Sequence, residues 1–141
     1  MITRFKLFEN IKGSSYIKLF ENKQNIIIND DGTGLMISNI DLGYYNWDDA
    51  ITLCKNYNEG GYDDWKLPTK EELNKLFLNK IYVGGFYADN YWTSSEYSKS
   101  IYWTQYFSSG YQANADKKQH RHVRAIRYMS DLEIDAMRYN L

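Results

Sequence analysis

Two histidines, His120 and His122, flank Arg121 inside the one dense basic run of the chain, Lys117-Lys118-Gln119-His120-Arg121-His122-Val123-Arg124. On an extended segment residues two apart project to the same side, so the imidazoles form a pair that could begin a metal site. A zinc centre needs a third ligand at a recognisable spacing, and none accompanies them; the alternative is a solvated basic rim. As a charge cluster the run, through Lys118 and Arg121, could hold a sulfated sugar or a phosphate backbone. More commonly such a run is a solvated edge whose inward arginines meet carboxylates, and Asp63 or Asp64 are natural partners for Arg124 or Arg127. Other groups are weaker. Asp63-Asp64 and Glu71-Glu72 are sequence neighbours and point apart; Ser94-Ser95 and Ser108-Ser109 lack a nucleophile elbow. No phosphate-cradling glycine loop precedes a helix, and Asp30-Asp31-Gly32 lacks the spaced oxygen ligands of a calcium loop. No catalytic residue, metal or cofactor is expected, and the chain reads as a non-enzyme.

Tyrosine is the residue type left over. There are 14 tyrosines and 4 tryptophans, and aromatic residues make up 17 % of the chain. Tyr87, Tyr91, Tyr97, Tyr102, Tyr106 and Tyr111, with Asn90, fall around a loop and on the expected outward face of a sheet. Tyrosine offers a flat, rigid surface with a polar tip at low entropic cost, which suits sugar stacking and protein recognition alike.

The elements that would position these residues centre on Gly60-Gly61-Tyr62-Asp63-Asp64-Trp65-Lys66-Leu67-Pro68-Thr69-Lys70-Glu71-Glu72-Leu73. The glycines close what precedes them, and Pro68 keeps Leu67 extended. Thr69 and Glu72 make a capping box that starts a helix over about 70–78, burying Leu73, Leu76 and Phe77. Trp65 and Leu67 share a side and plug the gap toward an earlier helix, capped by Asn46 and running to about Tyr57 with Trp47, Ala50, Ile51, Leu53 and Cys54 at helical spacing. Cys54 is the only cysteine and falls on the apolar face, so it reads as a small buried hydrophobe.

Ile26-Ile27-Ile28 and Gly34-Leu35-Met36-Ile37-Ser38 read as a strand pair about a turn. From Tyr91 the period changes to two, giving antiparallel strands at 91–97 and 101–107, a third after Ser108-Ser109-Gly110, and a last strand over 122–128. In the middle strand Ile101, Trp103 and Phe107, with Trp92 before them, are assigned to the core. Asp131 to Tyr139 forms a short helix with Leu132, Ile134 and Met137 apolar. Residues 1–25 repeat Lys-Leu-Phe-Glu-Asn twelve apart, as a strand pair or helical arm on the domain or as a tether that docks on another subunit. The division expected is an arm over 1–25, a domain over 26–129 and a terminal helix over 130–141.

The formal charge is −1 and the pI about 6.1, so no global field favours nucleic acid or an anionic membrane. No apolar run approaches a membrane span, and Met1 to Asn10 lacks a signal-peptide pattern, so neither membrane insertion nor export by that route is expected.

Taken in order, Thr33-Gly34-Leu35, Trp47-Asp48-Asp49-Ala50 with Cys54, Gly61-Tyr62-Asp63-Asp64-Trp65-Lys66-Leu67-Pro68-Thr69, Tyr91-Trp92-Thr93-Ser94-Ser95, Trp103 to Phe107 and Val123-Arg124-Ala125-Ile126-Arg127 resemble the DUF1566 family over residues 33–127. That family includes the C-terminal domain of the Legionella collagen-like adhesin and is related to the C-type-lectin-like and formylglycine-generating-enzyme folds. The resemblance implies an α+β, C-type-lectin-like fold, two helices packed on a small, twisted, mostly antiparallel sheet with long loops. It also implies a display scaffold for binding. Many members carry a cysteine where Ala125 stands, expected to pair with the position of Cys54. The calcium-and-sugar triplets of true C-type lectins are missing, and one cysteine rules out the paired cysteines of formylglycine-generating enzymes. The function expected is calcium-independent recognition of a glycan or protein ligand, with a homo-oligomer or a component of a larger assembly, such as a phage virion or surface filament, as the alternative.

Overall fold

Ile26 and Ile27 are fully buried, and in the computed structural model, which describes residues 5–9, 15–19, 24–29 and 31–139, they belong to a strand inside a sheet rather than at its edge. The chain runs β1 (Phe5–Glu9), β2 (Ser15–Leu19), β3 (Gln24–Ile28), β4 (Gly34–Ile37), β5 (Gly43–Tyr45), α1 (Trp47–Asn56), a 3-10 turn (Glu59–Gly61), α2 (Lys70–Leu78), α3 (Lys80–Val83), β6 (Asn90–Ser98), β7 (Ile101–Tyr106), β8 (Gln112–Asp116), β9 (Arg121–Val123), β10 (Ile126–Met129) and α4 (Asp131–Tyr139). The fold is α+β. The strands form two five-stranded sheets, ordered β1-β2-β3-β4-β10 and β5-β9-β6-β7-β8. Of the 1–25 arm, residues 1–4, 10–14 and 20–23 lie outside the described residues, and the backbone of β2 pairs antiparallel with β3.

Three expectations are corrected. The sheet expected as one is two, mostly antiparallel as expected, with β6 and β9 the parallel pair. The last strand is broken into β9 and β10, one in each sheet, with only Arg124 and Ala125 between them. At that crossing the Ser38 N–H donates to the Ala125 carbonyl at 2.9 Å, the Ala125 N–H to Ser38 Oγ at 3.1 Å, and the Leu42 N–H to the Val123 carbonyl at 2.8 Å. Residues 38–42 therefore cross between the sheets beside 123–125, bound to them.

The third correction concerns the faces of β7. Its sheet is covered on both sides, so alternation along a strand does not separate core from solvent. Trp92 and Tyr102 pack with Ala50 and Cys54 of α1, and Tyr91 and Phe107 pack with Leu73 and Leu76 of α2. Tyr102 stacks on Trp47 at 3.7 Å between ring centroids, whereas Trp103, assigned to the core, is only partly buried, lying beneath Lys70 Nζ at 3.6 Å and edge-on to Tyr97.

The segment between the helices behaves as expected. Gly60 and Gly61 have φ of 71° and 81°, Trp65 and Leu67 are buried, and Lys66 bridges to Ile126 by two backbone hydrogen bonds of 2.8 and 2.9 Å. α1, however, already ends at Asn56 with Tyr57 extended, so the glycines close the 3-10 turn after it and not the helix itself. Thr69 Oγ1 accepts from the Glu72 N–H while Glu72 Oε1 accepts from the Thr69 N–H, completing the capping box. Thr69→Ala is expected to lower unfolding free energy by about 1 kcal/mol in urea titration, because one helix-terminal donor loses its partner.

Cys54 is buried and burial pushes its thiol up to about 12; it shares a core cluster with Ala125. α4, whose docking the sequence left open, sets Ile134 and Met137 into the core and leaves Leu132 exposed. No helix among the described residues is long and apolar enough to cross a membrane.

Candidate functional site: an aromatic loop over a histidine between two carboxylates

Beyond α3 the chain turns out through Gly84 and Gly85, whose φ values of 74° and 73° lie in the left-handed region that glycine enters without strain. Gly85 also sits above the Arg124 guanidinium, where a Cβ would come within 3.6 Å of Nη1. Arg124 is 1 % exposed, donates from Nε to the Ser38 carbonyl at 2.8 Å and from Nη1 to the Gly84 carbonyl at 3.0 Å, and lies 4.4 Å from the Phe86 ring centroid. One cation thus ties the loop to the inter-sheet crossing. Phe86 packs inward against Tyr91 and Phe107.

Tyr87 points the other way. The residue is 59 % exposed, and its ring stacks on His122 at 4.6 Å and 24°. Its N–H donates to the Tyr91 hydroxyl at 3.0 Å, which in turn donates to Asp41 Oδ2 at 2.6 Å. Burial, reinforced by the Asp41 hydrogen bond, holds the Tyr91 hydroxyl well above the usual phenol range and keeps it a donor. Asp41 Oδ1 accepts from the Gly43 N–H at 2.8 Å. His122 then joins the two acids: Nδ1 is 3.3 Å from Asp41 Oδ2 and Nε2 is 3.5 Å from Asp89 Oδ2. Tyr44, half exposed, meets His122 edge-on at 5.0 Å and His120 at 5.9 Å.

Two open depressions flank this ridge. One, of about 470 Å³, is bounded by Asn39, Ile40 and Asp41; the other, of about 400 Å³, by Lys80, Ile81 and Ser108; they share Gly85, Phe86 and Tyr87 as their divide. A carboxylate faces each ring nitrogen, and the Tyr91 hydroxyl of the same network donates to one of them, Asp41. Among the described residues no group of three histidine, cysteine or acidic side chains could hold a metal ion. What the arrangement offers is a flat aromatic face with acceptors beside it.

The tyrosines do not form one surface. Tyr91 is fully buried and leaves the set of contact residues, because the sheet face it occupies is covered by α2. Tyr97, 53 % exposed, lies at the far end of β6, about 23 Å from Asn90 at 3.3 Å per strand residue. Tyr102 is occupied by Trp47. Tyr106, 37 % exposed, pairs across from Asn90 at the Tyr87 end, and the more exposed Tyr111 follows the β7–β8 turn. Lys118 is exposed on the β8–β9 turn, and Arg121 donates to the His120 carbonyl at 2.7 Å. Arg127 pairs with Asp64 as expected; Arg124 takes carbonyls instead of Asp63 or Asp64. Sequence reasoning missed Asp41, Asp89 and Tyr44. His122 meets Asp41 across 81 residues, a pairing with no local signature.

Fold and site together define a small α+β domain that presents an aromatic ridge on loops. A family model described as the Lcl C-terminal domain matches residues 26–127. The chain belongs to the Lcl C-terminal domain family, an adhesion-related domain type. No curated protein matches the chain.

Proposed function

We propose that the domain is a calcium-independent recognition module on a C-type-lectin-like scaffold of the DUF1566 kind, and that it takes a neutral sugar ring on Tyr87. The observation that carries this reading is Tyr87 itself: a ring more than half exposed, yet fixed from behind by His122 and through its own N–H by Tyr91, between two depressions. A pyranose needs an apolar plate for its C–H face and acceptors for its hydroxyls, and Tyr87 with Asn39 and Asp89 supplies both. Asp89, with its side chain 46 % exposed, keeps lone pairs available. Two carboxylates beside the plate favour an uncharged sugar over a sulfated one, and the Lys118–Arg121 run stands outside this cluster.

The test is a broad glycan array probed with and without calcium and with EDTA. Binding is expected to persist in EDTA. Tyr87→Ala is expected to weaken it about tenfold, the value of one stacked ring, while Tyr111→Ala leaves it unchanged. Silence on the array, or equal binding by Tyr87→Ala, would overturn the reading; retention on protein-coated surfaces alone would transfer the site to a protein ligand.

A further inference from the structure

β8 is the outermost strand on one side of the second sheet, and its five residues, Gln112–Asp116, face β7 in an unbroken antiparallel register. The hydrogen bonds at the two ends of that pairing fix which way each residue turns. The Tyr106 N–H donates to the Tyr111 carbonyl at 2.8 Å and the Lys117 N–H to the Ser100 carbonyl at 2.9 Å, in the same register that sets Trp103 opposite Asn114. Bonded and non-bonded pairs alternate along an antiparallel ladder. Ala113 and Ala115 therefore turn their backbone groups to β7, while Gln112, Asn114 and Asp116 turn theirs outward. Among the described residues the outward N–H and C=O of Gln112 and Asn114 have no partner, and the Asp116 carbonyl, which takes the Gln119 N–H at 2.9 Å, keeps a second lone pair. Proteins guard such edges with lysine, proline, a bulge or a very short strand. β5, at the other side of this sheet, is only three residues long; β8 carries none of these devices.

We propose that the β8 edge is an interface for a second copy of this chain, whose own β8 pairs antiparallel with it about a two-fold axis through Asn114 and joins the two sheets into one. The choice of occupant follows from the strand's complementarity to itself. About that axis the outward N–H and C=O of Asn114 meet those of Asn114 in the second copy, and Gln112 stands opposite Asp116 on both sides of the axis. Residues directly opposite share a face, so the Gln112 amide reaches the Asp116 carboxylate. Only Oδ1 of that carboxylate is used within the chain, accepting the Lys118 N–H at 2.9 Å, which leaves Oδ2 open. On the other face stand Ala113 and Ala115, with no bulk to hold two edges apart. A register displaced by two residues in either direction loses both glutamine–carboxylate contacts and pairs less of the strand. The pairing uses no residue of the Tyr87 site. An edge contact of this length buries little surface, so the dimer is weak and reversible.

The test is sedimentation equilibrium and amide hydrogen exchange on the full chain between about 10 µM and about 1 mM. Sedimentation is expected to show reversible dimer formation across that range. Over the same range the Gln112 and Asn114 amides should gain protection several-fold, while Ala113 and Ala115, already bonded to β7, stay level; a dimer through any other surface lacks this alternation. Asn114→Pro removes the central donor, which β7 does not use, and should abolish the dimer. The Gln112 variants repeat the test without touching the backbone. Gln112→Lys sets an ammonium opposite Asp116 twice and should tighten the dimer roughly fivefold, whereas Gln112→Glu sets like charges there and should weaken it by a similar factor. A chain that stays monomeric throughout, or a dimer indifferent to Asn114→Pro and to both Gln112 variants, would overturn the proposal whatever the glycan array shows.

Discussion

Replacing Arg127 by alanine is expected to lower the unfolding free energy by about 2 kcal/mol, the scale for losing hydrogen bonds to charged groups, because the carboxylates it leaves, Asp64 and Glu133, are partly open to water. The side chain is 4 % exposed and every nitrogen is engaged. Nε and Nη2 grip Asp64, Nη1 and Nη2 grip Glu133 at 2.8 and 2.9 Å, and the guanidinium lies 3.7 Å from the Tyr62 ring centroid. Three separate pieces of chain, the inter-helix segment, β10 and α4, meet at this one group. Arg127→Lys should recover little, because a point-like ammonium cannot reproduce two bidentate contacts. The same network sets an acid dependence. Hydrogen bonding by Arg127 holds the Asp64 and Glu133 carboxyls below their ordinary values. A group whose value is depressed on folding contributes stability above its unfolded value and loses it as pH falls through the folded one. Urea midpoints of the wild type should therefore fall from about pH 5 downward, and those of Arg127→Ala should fall less over the same interval. A loss under about 1 kcal/mol in Arg127→Ala would show that the network is not integral to stability.

Arg124→Leu should cost about 3 kcal/mol and, unlike Arg127→Ala, should act on the recognition loop. Leucine fills part of the volume but donates nothing, so the Ser38 and Gly84 carbonyls lose the donors they have in the native protein. The Gly84–Tyr87 loop loses its tie to the crossing, and the Phe86 ring its cation. In heteronuclear NMR, amide shifts of Gly84 to Tyr87 should move while those around Tyr97, at the other end of β6, stay in place. A urea transition unchanged from wild type, or shifts spread evenly along β6, would contradict this account.

Much of the scaffold is legible from local chemistry. The Thr69–Glu72 box, the Asn46 cap whose side chain accepts from the Asp49 N–H, the isoleucine strand with its turn, and the Arg127–Asp64 pairing all follow from residue types at short range or from one buried charge needing its opposite. Tyr87 is found for the same reason, on a loop opened by two glycines. The errors share one cause. Period-two alternation identifies a strand's faces but not which face is dry, and here α1 covers one side of the second sheet and α2 the other. Tyr91, expected outward, is therefore buried, and Trp103, on the same side as the buried Phe107, lies at the margin of the core under Lys70. Val123 to Ile126 looks like continuous strand because nothing in Arg124-Ala125 marks a break; the break is imposed by Ser38, 87 residues away from Ala125, which bonds both sides of it. The carboxylates around His122 are hidden likewise, each being an unremarkable acid ahead of a strand until the fold brings them to one ring.

The paired crossing between the sheets has a consequence for how the domain is made. During synthesis β5 emerges early but has no neighbour until β9 exists, and β4 keeps one edge open until β10 arrives. Two residues separate those late strands, so both sheets are completed by almost the same stretch of nascent chain. Non-local pairing of this kind delays folding, since the loop-closure entropy precedes the contacts that reward it. The domain is therefore a late folder on the ribosome. Until β9 and β10 are made, the β4 and β5 edges stay open, and these last strands act as a clasp that covers both at once.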